Sequence, residues 1–390
     1  MPIAIYALAL AAFAVGSAEF LISGILPLLA DDLSVSIPTA GLLVSAYAIG
    51  VAIGGPILTL LTTRVPQKAV LIALLLIFAV AQVLCAIAPD YGLLLMARLL
   101  SAAAHGTFFG VGNVMVARLV PPERRGGAFS LFIGGITVAN LLGLPGGSAI
   151  GVAFGWRTAF FVVGLIGLAA AAIMVWRIPS ARGESSASLR LADQFRELRH
   201  QQVWLSFIII TLSMVGQLSF ATYQVSIMQE VTGLPLGIIP IYLLVGGFGS
   251  VLGIWMGGRG TDWKPMPTLI AVLLLQSLLF FTMLFAMHDK VWMTVNLLAS
   301  SIVGFAFSTP LQARVIMAAK AAPNLASSLL STAFNIGIAI GAFIGATVLT
   351  MGMSYADLPA IGVVCSLVAA GVALLSWRLE RGAANRPAAA

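Results

Sequence analysis

Three ionisable side chains stand where the surrounding sequence is otherwise apolar: Glu19, Arg98 and His105. A carboxyl in such a setting suits proton exchange, because burial favours its neutral form while a nearby guanidinium favours the charged one. A change in access to water then decides which influence dominates. An unpaired charge at a bilayer centre costs about 2.5 to 3.5 kcal/mol on insertion scales, so these residues are candidates for function by default. Arg98 and His105 are seven residues apart, two turns along one helix face. Each also has a structural reading: Arg98 as the neutraliser of Glu19 between helices, His105 as a hydrogen-bonding group at a helix interface beside Gly106. Ser101, four residues before His105, supplies with Glu19 the residue types of an intramembrane hydrolase. It lacks a glycine-flanked nucleophile setting, and nothing suggests an oxyanion hole.

The elements that must position these groups follow from composition. Of 390 residues, 60% are hydrophobic and 8% charged, against about 25% charged in a soluble domain. A water-soluble fold is excluded. The net charge of +7 comes without a basic stripe interleaved with aromatics, which argues against nucleic acid. Cys85 and Cys365 lie in apolar segments and have neither disulfide nor metal spacing, so no cofactor or metal is expected. A spanning helix needs about 20 apolar residues, and polar breaks delimit twelve such runs. They are Ile3 to Ala30, Thr39 to Leu61, Ala69 to Ala88, Leu93 to Val116, Ala128 to Ile150, Thr158 to Trp176, Val203 to Met228, Ile238 to Met256, Thr268 to Met287, Val291 to Ala313, Ser328 to Thr350 and Leu358 to Trp377. The first reads as a retained helix, not a cleaved signal, because no Lys or Arg precedes it and it contains Glu19. Assigned alternately, the loops place all Lys and Arg on one side except Arg157 and Lys290, with Arg98 inside a helix. That basic side is cytoplasmic by the positive-inside rule, which puts both termini on the cytoplasmic side of the membrane.

The longest polar stretch, 178–202, divides residues 1–177 from 203–377, with 378–390 as a cytoplasmic tail. Within the linker Leu191, Phe195 and Leu198 have the spacing of a helix lying on the membrane face; a solvated linker fits as well. The halves repeat each other. Gly143, Gly147 and Gly151 recur as Gly337, Gly341 and Gly345 at an offset of 194, and Ala117 to Val120 resembles Ala313 to Ile316. Repeated parallel halves are a transporter architecture with the substrate site near the midplane between them. The expected fold is therefore an all-α membrane protein of twelve helices in two pseudo-symmetric six-helix bundles. Asn113, Gln217, Tyr223, Gln224, Asn296, Thr309 and Gln312, with Asn140 and Asn335 in the glycine-repeat helices, are the polar candidates for substrate contact. Phe108, Phe109, Met214, Phe220, Phe305 and Phe307 could add an adaptable apolar surface or simply pack.

Nearly the full length resembles the major facilitator superfamily, and more narrowly its twelve-helix drug:proton antiporters of arabinose-efflux and chloramphenicol-resistance type. The opening Gly16-Ser17-Ala18-Glu19-Phe20 with Gly24-Ile25-Leu26-Pro27 is similar to that branch's first-helix signature, and Ala104 to Gly110 to its fourth-helix signature. Arg98 matches the fourth-helix arginine implicated in proton coupling. Gly143-Leu144-Pro145-Gly146-Gly147, closed by Gly155-Trp156-Arg157, looks like the fifth-helix antiporter motif. The resemblance implies no enzyme but a monomeric exporter of small molecules, such as chloramphenicol or sugars, driven by protons through Glu19, Arg98 and His105. A facilitative or importing carrier is its rival. Two departures stand out. Thr63 occupies the usual Asp position of the first inner-loop motif, although Arg64 and Lys68 remain and Asp262 is kept in the second half. Ala102 replaces the Gly expected four residues after Arg98.

Overall fold

Each apolar run closes into a helix because hydrocarbon offers backbone groups no partner, and a helix satisfies them internally. The computed structural model describes residues 1–178, 201–318 and 323–384. Among these, twelve helices are long and apolar enough to cross a membrane: α1 (Ile3–Asp32), α2 (Ile37–Leu61), α3 (Gln67–Ala86), α4 (Tyr91–Leu119), α5 (Pro122–Phe154), α6 (Trp156–Arg177), α7 (Gln201–Glu230), α8 (Leu236–Trp263), α9 (Pro265–Ala286), α10 (Lys290–Val315), α11 (Leu329–Thr350) and α12 (Tyr355–Arg381). The expected linker helix lies outside the described residues. Helix starts follow local chemistry. Ser36 accepts from Thr39 N at 3.2 Å to open α2, Asp90 accepts from Leu93 N at 2.8 Å to open α4, and Asp289 accepts from Val291 and Trp292 N to open α10.

Apolar patterning predicts unbroken rods, and three helices depart from it. Helix α5 carries a π-turn over Ala139–Gly143, just before Pro145, whose missing amide donor disrupts the ladder there. Helix α7 breaks between Ala221 and Gln224, and α10 between Ala306 and Ser308. At the far end, the helix of α12 continues to Ala384 beyond the expected boundary at Trp377. That moves the described start of the tail into the helix.

In the first half α1 packs on α5 and α6, α2 on α4, and α3 on both α4 and α6. The second half repeats this: α7 on α11 and α12, α8 on α10, α9 on α12. Buried Gln82 on α3 and buried Gln276 on α9 stand at the same 194-residue offset as the glycines. The repeated glycines serve packing inside each half. A Cβ at Gly143 would lie 2.2 Å from Ser17 Oγ and one at Gly147 2.3 Å from Leu21 Cδ1, while Gly337, Gly341 and Gly345 press against Met214, Val215 and Tyr223 of α7. Small residues let backbones approach where lipid supplies no hydrophobic force.

The halves meet through α2 with α11, α5 with α8, and α1 with the second segment of α7. Their tight contacts lie away from the chain termini. Ser45 Oγ donates to Ala339 O at 2.9 Å, the Tyr223 ring of α7 lies against Gly41 of α2, and the α8 backbone at Gly247 abuts Asn140 and Leu141. Beside the Ser45 to Ala339 bond, and continuing along both helices toward the terminus-bearing face, α2 and α11 frame an apolar notch of about 410 Å³ lined by residues that include Ile49, Ile53, Ile336 and Ile340.

Candidate functional site

Arg98 reaches α1 from α4. It is fully buried, and its Nη1 donates to Ala18 O at 2.6 Å, one residue before Glu19. Its Nε and Nη2 have no partner among the described residues, and no ion pair joins it to the Glu19 carboxylate, which lies within its electrostatic reach. Neutralisation of Glu19 by direct pairing, one of the two structural readings, is absent from this arrangement. The guanidinium instead lies over the Tyr47 ring of α2, 3.9 Å from its centroid. The same tyrosine's hydroxyl is hydrogen-bonded to His105 Nδ1 at 3.0 Å. Glu19, Arg98, Tyr47 and His105 thus form one cluster on three helices, with the His105 ring also 5.1 Å from Phe109.

Tyr47 was not singled out among the sequence candidates. Its signal is an aromatic with a polar tip followed on the same helix by the small residues Ala48, Gly50, Gly54 and Gly55, and a buried tyrosine hydroxyl requires a partner. Those small residues let α2 and α4 touch. Gly55 and Gly106 face each other, with a Cβ on Gly106 only 2.7 Å from Gly55 Cα. Gly50 sits against the Ala102 methyl, which explains how Ala is accommodated where the resemblance expects Gly.

Ser101 takes no part in nucleophile chemistry. It is fully buried and accepts from Gln82 Nε2 at 2.9 Å, and no hydrogen bond joins it to His105, whose Nδ1 is engaged by Tyr47.

The polar candidates scatter. Asn296 donates to Leu279 O and to Thr282 Oγ1 and accepts from Ser300, so its amide is consumed between α9 and α10. Tyr223 is fully buried, its ring against Gly41 of α2 and Gly345 of α11. Gln217 Nε2 donates to Gly304 O at 3.2 Å. Asn335 is buried, donates to Ser331 O and leaves its Oδ1 unpartnered. Asn113, Asn140 and Gln224 are half-buried, with no hydrogen bond from their side chains among the described residues, and Gln312 is exposed. Of the aromatic candidates, Phe108 and Phe109 stack with Phe132, and Phe220 packs on Phe280. These rings are helix packing.

The gating candidates also separate. Arg64 and Asp262 are exposed on the terminus-bearing face, and Lys68 donates to Val175 O at 2.9 Å within its own half. Pro145 is buried beside the π-turn. On the opposite face the Gly-Trp-Arg motif is a clamp. Gly155 turns the chain with φ +87°, a region that favours glycine. Arg157 pairs with Asp32 and donates to Ala88 O at 2.9 Å, and Trp156 Nε1 donates to Asp32 at 3.2 Å. This holds the Asp32 carboxyl at the end of α1. Arg314, counted in the sequence only as a loop cation, is buried. It donates to Gln202 and Ser376 at 2.7 Å and pairs with Glu380 at 2.9 Å, bolting α7, α10 and α12 together.

The comparisons agree with this architecture. Residues 8–346 match the profile of the Major Facilitator Superfamily. The inner membrane transport protein YdhP of Escherichia coli K12 is 34% identical over 369 residues, covering 95% of this chain and 93% of YdhP. The chloramphenicol resistance protein of Streptomyces lividans is 32% identical over 353 residues, 90% of each chain. The crystal structure of a bacterial homologue of the human lysosomal transporter Spinster, inward-facing and unoccupied, superposes with TM-score 0.77 at 17% identity over 96% of both chains. Twelve apolar helices in two repeated bundles, with relatives that are transport proteins over their whole length, make this chain a multi-pass membrane transporter of small molecules and a member of the Major Facilitator Superfamily.

Proposed function

We propose that this transporter is an exporter driven by proton entry, with Glu19 as the proton carrier. One observation carries the reading. Glu19 is the sole acidic side chain within the interior of a described membrane helix, and the buried guanidinium beside it keeps two nitrogens unpartnered and makes no ion pair with it. A carboxyl committed to a salt bridge would hold one charge state; one left beside an unsatisfied cation can exchange its proton. With the basic loops taken as cytoplasmic, the contacts between halves lie toward the outer side and the apolar notch between α2 and α11 extends inward, which supports reading the form described as open inward. Cargo enters from the cytoplasm as Glu19 releases its proton inward. Uptake of a proton from outside then favours outer closure and the return to this form. Each inward proton contributes about 2.3 kcal/mol per 100 mV of membrane potential. Arg98 and His105 belong to the coupling site. Asn113, Asn140, Gln217 and Gln224 remain the proposed cargo contacts, and Arg64, Lys68 and Asp262 the groups that close the inner face. Chloramphenicol is the first cargo to test, since a relative confers resistance to it.

The test is an efflux-deficient bacterial host challenged with a panel headed by chloramphenicol, followed by proton-driven export of the responding compound in everted vesicles. Glu19→Gln should abolish pH-gradient-driven export while leaving energy-independent exchange of the same compound intact. Export at the wild-type rate by that variant would remove Glu19 as carrier. Accumulation inside cells in place of exclusion would make the protein an importer.

A further inference from the structure

Tyr47 joins Arg98 and His105 from a different helix, the one that also contacts the opposite half. Tyr47 is buried on α2 and uses both of its chemical faces on the same helix, α4: the ring on Arg98 and the hydroxyl on His105. Two residues earlier, Ser45 spans the boundary between halves by donating to Ala339 O of α11. The titratable or charged groups around Tyr47 are Glu19 from α1, Cys85 from α3, and Arg98 and His105 from α4. Helix α11, which packs against the other side of α2, contributes none, since its sequence holds no ionisable residue.

We infer that Tyr47 is a positioning residue that competes with Glu19 for Arg98 and so links the carboxyl's proton to the helix contacting the opposite half. The inference rests on Glu19 being the proton carrier. The geometry supplies the competition. Arg98 has one strong anchor, the Ala18 carbonyl, and its remaining nitrogens are unpartnered, so its pose is set by what lies above it. That is the Tyr47 ring, and a cation over an aromatic face is held most firmly where water is excluded. The ring in turn is fixed by the hydrogen bond from one end of Tyr47 to His105, which ties it to the same helix as Arg98. A charged Glu19 offers the two idle nitrogens a carboxylate acceptor. Arg98 moving toward α1 would leave the Tyr47 ring, and α2 would lose a contact with α4 close to where it contacts α11. His105 thus acts through Tyr47, with no need to carry a proton itself.

The experiment reads conformation and needs no identified cargo. Spin labels at Leu61 and Met317, both exposed on the terminus-bearing face and in different halves, report the opening of the full chain in lipid nanodiscs across a pH series, with Cys85 and Cys365 replaced by alanine. The wild type should pass between two distance populations with a defined pH midpoint, and Glu19→Gln should show a single population at every pH. Tyr47→Phe, which keeps the ring and loses the hydroxyl, should move the midpoint by about one pH unit, the equivalent of one buried hydrogen bond. Tyr47→Leu should move it further, and Tyr47→Phe should add nothing in a His105→Leu background, where the hydroxyl has lost its partner. An unmoved midpoint in Tyr47→Phe, or an equal shift with and without His105, overturns the inference while the flat response of Glu19→Gln still supports the carrier. A pH response that survives in Glu19→Gln overturns the carrier reading itself. Tyr47→Phe preserves the side chain's packing, so its midpoint can be read even if Tyr47→Leu fails to fold.

Discussion

At the scale of the residue, Arg98 is expensive for what it returns to the fold. A fully buried guanidinium with one hydrogen bond, one ring contact and two unpartnered nitrogens loses hydration that no ion pair restores. Replacing such buried charges with apolar groups of similar size is often neutral, or stabilising by about 1 to 4 kcal/mol. Arg98→Met should therefore leave the thermal unfolding midpoint in detergent unchanged or raised, while proton-driven export falls at least about tenfold. A lowered midpoint matched by a proportionate loss of transport would make Arg98 a structural residue only. Glu19, Arg98 and His105 were legible in the sequence because a charge stands out against apolar neighbours. Tyr47 was not, because a tyrosine in a membrane helix has many ordinary uses and only the facing helix reveals this one. Asn296 shows the converse: its residue type suggested cargo, and its amide is spent on α9.

Helices were legible as long as their patterning was regular. The twelve spans and the repeat between halves follow from apolar length and glycine spacing. The breaks in α7 and α10 do not follow from apolar length, which passes over them; their signs are local, polar Thr222 to Gln224 in one and, in the other, Pro310, which has no amide proton for Ala306 O. The glycine repeat was also readable as packing, yet a less yielding seam among the described residues lies elsewhere. A Cβ at Gly253 of α8 would stand 2.2 Å from Ile302 O of α10, and one at Gly257 2.3 Å from Ala306 O. Backbone oxygens cannot rotate away as Ser17 Oγ or Leu21 Cδ1 can opposite Gly143 and Gly147. Gly253→Ala must push α8 and α10 apart and should lower stability by about 1 to 3 kcal/mol or more. Gly146 in α5 has open space at its Cβ position, and Gly146→Ala should gain about 0.5 to 1 kcal/mol from reduced chain entropy. Thermal unfolding of the two variants in the same detergent checks both signs. A silent Gly253→Ala would mean that the α8 and α10 seam yields freely.

For the molecule as a whole, the proposed alternation turns on what holds the face away from the termini shut. Closing the terminus-bearing face requires the notch between α2 and α11 to collapse, bringing Ile49 and Ile53 onto Ile336 and Ile340. Opening the opposite face requires Tyr223 to leave Gly41. This second contact is stiff. The Tyr223 side chain is fully buried, its ring lies against Gly345, its hydroxyl donates to Ala342 O, and a Cβ on Gly41 would stand 2.3 Å from that hydroxyl oxygen. The sequence offered Tyr223 as a cargo contact because it is a polar group in a span expected to line the central cavity; beside the break in α7 it is buried against Gly41 and Gly345. A side chain at position 41 has nowhere to go while the face stays closed, but open space once α2 separates from α7 and α11. Gly41→Val should therefore penalise this form alone. An overpacking cost of about 1 to 3 kcal/mol shifts a two-state population by about 5- to 150-fold. Spin labels at Asp31 and Met351, exposed on that face in different halves, should change from mainly a short separation in the wild type to mainly a long one in Gly41→Val. Adding Tyr223→Ala to that variant should restore the short separation, because the void left by the ring takes up the new methyls. An unchanged distance distribution in Gly41→Val would mean that Tyr223 yields within the closed face, and that the closure is held by other contacts.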